Sequence, residues 1–310
     1  MSAKHLRLVA AAFAVLLLLW GASELFSRGS DRITDTLSLP ALAQGDVDTI
    51  SVVKGADSIV LAKQSSTAWT VNGRRAAPDA VHDLLQALRD SVHPELVALD
   101  SSSFARLNVD AAAGRWLTFR GGGKPLLQLI VGARGTEYSS AYVRRAGDSR
   151  VYLWRGRLAQ LADHTVEDWR DKRIAAVEPD SIALVRVERG QEPYTLTRDG
   201  KVWKLNGAAT DSGAVARMLE KYRAVLATGF ATAQQADSAR RMRPTRRLTL
   251  RAARGTTLLA LAFDSTAGGF WVSRTGGSAA GGEAGAFYRM NAWDVDGLTP
   301  ASSTLRSARK

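Results

Sequence analysis

One motif occurs in both halves of the chain, and this repeat constrains the fold more than any other feature. The motif Trp69-Thr-Val-Asn-Gly73 reappears as Trp203-Lys-Leu-Asn-Gly207. Each copy leads without a gap into a pattern with apolar residues at positions i, i+3, i+4 and i+7, which are Val81, Leu84, Leu85 and Leu88 in the first copy and Val215, Met218, Leu219 and Tyr222 in the second. A unit this long indicates a duplicated domain, because solenoid repeats run to only about 20–50 residues.

Shorter matches continue downstream of the helical pattern. They pair Leu117–Arg120 with Leu248–Arg251, Leu126-Leu127 with Leu258-Leu259, and Tyr142-Val143 with Trp271-Val272. The spacing between partners drifts along the chain, which indicates loops of different length between equivalent strands. A chain of 310 residues with 45% hydrophobic content is long enough for two such domains.

The segments within each copy predict the fold class. Two β-branched runs, Thr49–Val53 and Ser58–Ala62, precede the Trp69 strand, and Asn72-Gly73 is a strong turn signal. Further short strands with short connections follow the helix, which favours an antiparallel meander. We therefore expect an α+β fold of two tandem duplicated lobes, each a mainly antiparallel sheet with one main helix on one face, behind an N-terminal transmembrane helix.

The N-terminus predicts a membrane anchor. Lys4, His5 and Arg7 precede an apolar run from Leu8 to Ala22. Residues 6–26 would just cross the hydrocarbon core of about 30 Å, with the N-terminus in the cytoplasm and the lobes outside. We expect a single-pass protein of the inner membrane with its bulk in the periplasm. A cleaved signal peptide is the first alternative, and a soluble cytoplasmic protein is the second.

Composition divides the remainder of the chain and limits its chemistry. The expected segments are a signal anchor at 1–27, a Gly/Ser/Pro-containing linker at 28–46, lobes at 47–175 and 176–300, and a disordered tail at 301–310.

The chain has no cysteine, which excludes disulfides and zinc–thiolate sites. The hydrolase, zincin and phosphate-loop motifs are also missing, so we expect no catalytic, metal or cofactor-binding residues and no enzyme activity.

His164 is the best candidate for chemistry, because carboxylates surround it along the chain. They are Asp163, Glu167, Asp168 and Asp171. Histidine with carboxylates can bind a metal or act in acid–base catalysis. The alternative is an ion-paired structural clasp between the lobes, with Trp169 as its apolar plug, because the same segment contains Arg170, Lys172 and Arg173.

The strongest charge feature is a run of seven arginines without an acid, within a chain of net charge +12. The run consists of Arg240, Arg241, Arg243, Arg246, Arg247, Arg251 and Arg254. Arginine binds phosphate and carboxylate well, so this segment is the predicted anion- or partner-binding site. The alternative is a solvated helix end followed by a strand edge. The glycine-rich residues 276–285 lack a lysine and are expected to form a flexible hairpin tip.

The order of these motifs resembles an uncharacterised bacterial family. The relevant features are the signal anchor, the W-x-v-N-G turn, a helix begun by Pro78, a Phe-x-x-Leu-Asn-Val stretch at 104–109, and a hairpin leading to Asp168-Trp-Arg-Asp-Lys172. Over about residues 47–300 the chain is similar to the domain of unknown function DUF4340. The resemblance implies single-span envelope proteins without assigned catalytic residues, associated with ABC-transporter permeases and gliding-type auxiliary systems. The insertion at 276–282 departs from the family pattern.

These observations favour a membrane-anchored extracytoplasmic accessory or binding protein. Its expected partners are the membrane, integral-membrane transporter subunits and anionic lipid, and nucleic acid is disfavoured by the expected location. One alternative is an envelope enzyme that uses the His164 cluster. Another is a cell-envelope scaffold that holds anionic lipid or wall polymer through the arginine run.

Overall fold

The computed structural model describes residues 37–89 and 94–307, which form two lobes. Each lobe is built around a nine-stranded sheet in which neighbouring strands run antiparallel. The predicted anchor at 1–27 lies outside these residues. Among the helices that they form, none is both long enough and apolar enough to span a bilayer.

The first lobe contains strands β1 to β9 in the spatial order β4-β3-β2-β1-β6-β7-β8-β9-β5. The strands are β1 (Thr49–Lys54), β2 (Asp57–Lys63), β3 (Trp69–Val71), β4 (Arg74–Arg75), β5 (Glu95–Ala98), β6 (Arg115–Gly121), β7 (Lys124–Arg134), β8 (Ser140–Arg145) and β9 (Val151–Arg155). Its helices are α1 (Ala80–Arg89), α2 (Phe104–Leu107), α3 (Leu158–Ala162) and α4 (Val166–Trp169), with a 3-10 turn at Ser101–Ser103.

The second lobe has the same strand order in its own sheet, β14-β13-β12-β11-β17-β18-β19-β20-β16. The strands are β11 (Leu184–Arg189), β12 (Tyr194–Asp199), β13 (Val202–Leu205), β14 (Ala208–Ala209), β16 (Gly229–Phe230), β17 (Arg246–Arg251), β18 (Thr257–Thr266), β19 (Gly269–Gly276) and β20 (Phe287–Met290). A separate pair joins β10 (Arg173–Ala175) to β15 (Val225–Leu226). The helices are α5 (Ser212–Glu220), α6 (Ala233–Arg241) and α7 (Ala292–Leu298), with 3-10 turns at Pro179–Ser181, Lys221–Arg223 and Ser302–Leu305.

The repeated Asn-Gly turns have the same geometry in both lobes. Asn72 and Asn206 adopt left-handed φ angles of 46° and 49°. The side-chain oxygen of Asn72 accepts a hydrogen bond from the Val60 amide at 2.7 Å, and that of Asn206 accepts one from the Thr195 amide at 2.9 Å. A turn with two successive positive φ angles favours the Asn-Gly sequence, so both copies of the motif encode one tight hairpin.

The strand register confirms the weaker downstream matches. Ile50 pairs with Phe119 in the first lobe, as Val185 pairs with Leu250 in the second. Phe119 then pairs with Leu127, and Leu250 pairs with Leu259. The two sheets are therefore equivalent strand by strand, and the drift in sequence spacing comes from their loops.

Each lobe has its own core between its sheet and its main helix. The predicted apolar face of α1 is buried through Val81, Leu84 and Leu85, and α5 buries Val215 and Met218 in the same way. The first lobe also has a small cluster on the other face of its sheet, formed by Leu107, Val109, Ile130 and Val151 around α2. The sequence predicted a helix on one face only.

The lobes begin earlier in the chain than the sequence predicted. Leu42, placed in the predicted linker, is buried in the first core. Ile174 and Ala175, assigned to the first lobe, are fully buried in the second core. Both segments carry short apolar runs, at residues 37–43 and 174–177, that follow neither the helical nor the strand period, so sequence periodicity did not identify their contribution to the cores.

The predicted disordered tail from 301 is wrong for the part that the structure describes. Leu305 is 1% exposed and belongs to the second core. The Asp211 amide donates to the Leu305 carbonyl, as the Ala77 amide donates to the Trp169 carbonyl. Leu305 therefore occupies the place of Trp169, and the repeat extends to Arg306. The change from tryptophan to leucine hid this last equivalence in the sequence.

Candidate binding cleft between the lobes

Residues 165–177, here called the connector, join the two cores directly. Thr165 caps α4 through a reciprocal pair of hydrogen bonds with Asp168. The Trp169 side chain is 1% exposed in the first core, and the next buried apolar residue, Ile174, lies in the second core. The interpretation of this segment as a clasp with Trp169 as its plug is therefore confirmed.

Residues 277–286, here called the strap, connect β19 to β20 and lie against the connector. The Gly282 amide donates to the Arg173 carbonyl at 2.9 Å. Arg274 donates to three strap carbonyls at 2.6–2.7 Å, those of Gly277, Ala279 and Gly281. The expected flexible hairpin tip is instead a fixed loop, because one arginine satisfies carbonyl groups that a glycine-rich loop would otherwise leave to water.

Glu283 of the strap bridges the lobes. Its carboxylate accepts from Arg74 of β4 at 2.6 Å and from Arg170 of the connector at 2.8 Å. Burial opposes ionisation of Glu283, but hydrogen bonds and charge from Arg170 and Arg74 outweigh it, so the pKa of Glu283 is lowered. This carboxylate therefore stays ionised and ties three segments of the chain together.

A cleft of about 350 Å³ opens beside this bridge. Arg74, Arg170 and Arg240 line it, and they come from the first lobe, the connector and α6. The Arg170 guanidinium lies 3.4 Å from the centre of the Phe230 ring, and the Arg240 guanidinium lies 5.7 Å from that of Phe287. Two aromatic rings thus hold two of the three guanidinium groups in place.

The cleft has the chemistry of an anion site. Its three guanidinium groups face two carboxylates, those of Glu283 and Asp237, and Asp237 pairs with Arg240 at the exposed end of α6. The Nε of Arg170 is buried without a hydrogen-bond partner among the described residues. A buried donor without an acceptor is costly, and a carboxylate or phosphate oxygen suits the planar guanidinium.

Arg240 is the member of the predicted arginine site that lines this cleft. Arg246 is instead a structural residue, with its side chain 14% exposed and bonded to Asp296 at 2.6 Å. Arg241 donates to the Asp237 carbonyl, and Arg247 lies 3.7 Å from Glu188.

The remaining three arginines of the run do not form one patch with Arg240. Arg243, Arg251 and Arg254 are exposed, and their side chains have no hydrogen bond or ion pair with any residue that the structure describes. Arg243 precedes β17, whereas Arg251 and Arg254 lie at and beyond its far end. The extended strand, at about 3.3 Å per residue, separates Arg243 from Arg251 and Arg254. Anion binding by these three residues stays a prediction.

The carboxylates around His164 are engaged with cations. Asp163 pairs with Arg115 and Arg134, Glu167 with Arg289, Asp168 with Lys172, and Asp171 with Arg75. Burial lowers the pKa of His164, so the imidazole is neutral at pH 7. The described residues contain no group of three potential ligands able to hold a metal ion. A catalytic role for His164 is not tested by this geometry.

Sequence reasoning missed Arg74, Glu283 and the two phenylalanines as site residues. The signal that could have found them is the difference between the two copies. Arg74-Arg75 stands where the second lobe has Ala208-Ala209, directly after the equivalent Asn-Gly turns. Glu283 follows the insertion that has no counterpart in the first lobe.

Comparison with known proteins gives a family but no characterised relative. No curated protein and no solved structure matches the chain. The family model described as a domain of unknown function, DUF4340, matches residues 69–242. This match covers more than half of the chain and contains the three arginines of the cleft. The protein belongs to the DUF4340 family.

Proposed function

We propose that the protein is a membrane-anchored, extracytoplasmic binding module that holds an anionic group of a membrane partner in the cleft between its lobes. The apolar run within residues 1–27 supports the anchor and the inner-membrane location. The family resemblance favours subunits of an ABC-type transport system as the partner.

The observation that carries the proposal is the convergence of three arginines from three segments on one cleft with an unpaired Arg170 Nε. Such a donor set matches a carboxylate or phosphate. The cleft lining holds one carboxylate, Asp237, and no hydroxyl, thiol or imidazole side chain among the described residues. A binding role therefore fits this lining better than acid–base or nucleophilic catalysis.

A photo-cross-linking amino acid on α6 tests this role in intact membranes. At Ala236 the cross-linker lines the cleft, whereas at Ser238 it is exposed on the same helix and outside the cleft lining. We expect Ala236 to give one defined adduct that Ser238 does not give. Arg240→Gln should reduce this adduct, and rising salt should weaken it because the contact is charged.

Two outcomes would contradict the proposal. The first is the same set of adducts from both positions, which indicates random collision. The second is an Ala236 adduct whose yield neither Arg240→Gln nor salt changes. Mass spectrometry of the adduct identifies the partner and decides whether it is a transporter subunit.

A scaffold role is the second candidate, favoured by the exposed Arg243, Arg251 and Arg254. If these residues bind anionic lipid, retention on vesicles of phosphatidylglycerol should fall with salt and disappear in a variant with all three replaced by Gln. Retention that this variant preserves would refute it.

A further inference from the structure

A second groove, sharing no residue with the inter-lobe cleft, opens at one end of the first lobe. It has a volume of about 330 Å³, near the lower end of the range of small-molecule sites at roughly 300–1,000 Å³. Val52, Ile59 and Val166 supply apolar surface, and Lys54 and His164 lie on its lining. The inter-lobe binding role proposed above does not use this groove.

The second lobe shows what fills the equivalent space there. Val52 pairs with Ile59 as Val187 pairs with Tyr194, so Ile59 and Tyr194 are equivalent. The same registers make Lys54 equivalent to Arg189.

The helix ends on the other side of the groove are equivalent as well. The Asp163 amide donates to the Ala159 carbonyl as the Thr299 amide donates to the Val295 carbonyl. Asp163 therefore corresponds to Thr299, and the following residue, His164, corresponds to Pro300.

In the second lobe, two side chains close this space. Tyr194 is 2% exposed, and its hydroxyl donates to the Pro300 carbonyl at 2.8 Å. Arg189 donates to the Thr299 carbonyl at 3.0 Å. The phenol ring fills the space, and both carbonyl groups at the helix end are satisfied.

In the first lobe, the same space is left open. Ile59 has neither the ring nor the hydroxyl of Tyr194. Among the described residues, no group outside the adjacent helical turns donates a hydrogen bond to the backbone carbonyl of Asp163 or of His164. The Lys54 ammonium has no ion pair there, although the carboxylate of Asp57 also lines the groove. Asp163 itself is neutralised by Arg115 and Arg134.

We propose that this groove binds a small phenolic anion. Its ring takes the place that Tyr194 fills in the second lobe, its hydroxyl donates to the His164 carbonyl, and its carboxylate or phosphate pairs with Lys54. The apolar floor favours the ring, and the exposed ammonium selects for negative charge.

Calorimetry on the full-length protein with three probes tests the chemistry of the groove. We expect 4-hydroxyphenylacetate to bind saturably at one site. Phenylacetate lacks the hydroxyl and should bind about threefold to tenfold more weakly, the loss of one hydrogen bond. Tyramine replaces the anion by a cation and should not bind. Absence of saturable binding by 4-hydroxyphenylacetate, or equal affinity for all three probes, would overturn the proposal.

Two variants and a control locate the site. Ile59→Tyr copies the second lobe into the first and should abolish binding without lowering the melting temperature. Lys54→Gln, which removes an exposed charge, should weaken binding of 4-hydroxyphenylacetate about twofold to fivefold but leave binding of uncharged 4-methylphenol unchanged. Lys124→Gln, at the exposed start of β7 and outside the lining of the groove, should change neither. Unaltered 4-hydroxyphenylacetate affinity in Lys54→Gln would refute the proposal even if Ile59→Tyr fails to fold.

Discussion

Replacing Glu283 by Gln should weaken the bridge between the lobes by a measurable amount. The side chains of Glu283 and Arg170 are 18% and 15% exposed, so their hydrogen bond should contribute about 1.5–3 kcal/mol. Arg74 is 60% exposed, and its pair with Glu283 should add only about 0–1 kcal/mol. Because Gln keeps part of the hydrogen bonding, we expect Glu283→Gln to lower the free energy of unfolding by about 2 kcal/mol at pH 7.

The effect of this change should depend on pH. The folded-state pKa of Glu283 is lowered. The contribution of the bridge to the free energy of unfolding is therefore complete above the unfolded-state pKa, about 4.3, and it is lost as pH falls through the folded-state pKa. The difference between wild type and Glu283→Gln should therefore be constant from pH 7 to about 5 and shrink progressively below about 4.3.

Urea unfolding followed by tryptophan fluorescence measures this difference, with two arginine variants as comparisons. Arg170→Gln should destabilise more than Arg74→Gln, because Arg170 is the more buried partner. A difference that does not change with pH, or one below about 0.5 kcal/mol at pH 7, would show that Glu283 does not join the lobes energetically.

Four further predictions test the repeat, the arginine run, the histidine and the anchor. Leu305→Ala should lower the free energy of unfolding by about 2–5 kcal/mol, whereas Ser303→Ala on the exposed side of the same turn should change it by less than about 0.5 kcal/mol. Equal effects of the two changes in urea unfolding would show that Leu305 does not contribute to the second core. Arg246→Gln should lower the melting temperature because it breaks the bond to Asp296, and Arg243→Gln should not; the reverse order in a thermal scan would contradict the structural role of Arg246. His164→Ala should leave the melting temperature and cellular function nearly unchanged, and loss of function in a folded variant would support the enzyme alternative. Full-length protein should stay in the membrane fraction on alkaline carbonate extraction, while a chain that begins near Arg32 should be soluble; release of unprocessed full-length protein would argue against the anchor.

Local sequence signals predicted the central part of each lobe well. The Asn72 and Asn206 turns, the apolar faces of α1 and α5, and the strand matches around Phe119 and Leu250 all depend on residues close in sequence. The ends of the repeat depend on short apolar segments, such as the run around Leu42 and the isolated Leu305. Neither a short run nor one buried side chain has a clear period, so their contribution becomes visible only when the core is assembled.

The cleft could be predicted less well than the fold. Arg74 and Glu283 are separated by 209 residues, and no pattern along the chain connects them. Of the predicted arginine run, Arg240 is the residue that lines the cleft. Charge density in a sequence does not show which side chains will point toward a site in the folded chain. Arg246 illustrates this limit, since its position at the start of β17 leaves its side chain only 14% exposed and bonded to Asp296.

The strap determines when the cleft can form. Glu283 is synthesised 113 residues after Arg170, so the ribosome has released the whole first lobe and most of the second before the bridge has all its parts. Lobes of this kind fold as units, with the N-terminal one first. A nascent or prematurely terminated chain therefore offers a folded first lobe but no closed cleft, and only a finished chain presents the cleft that we propose as the binding site.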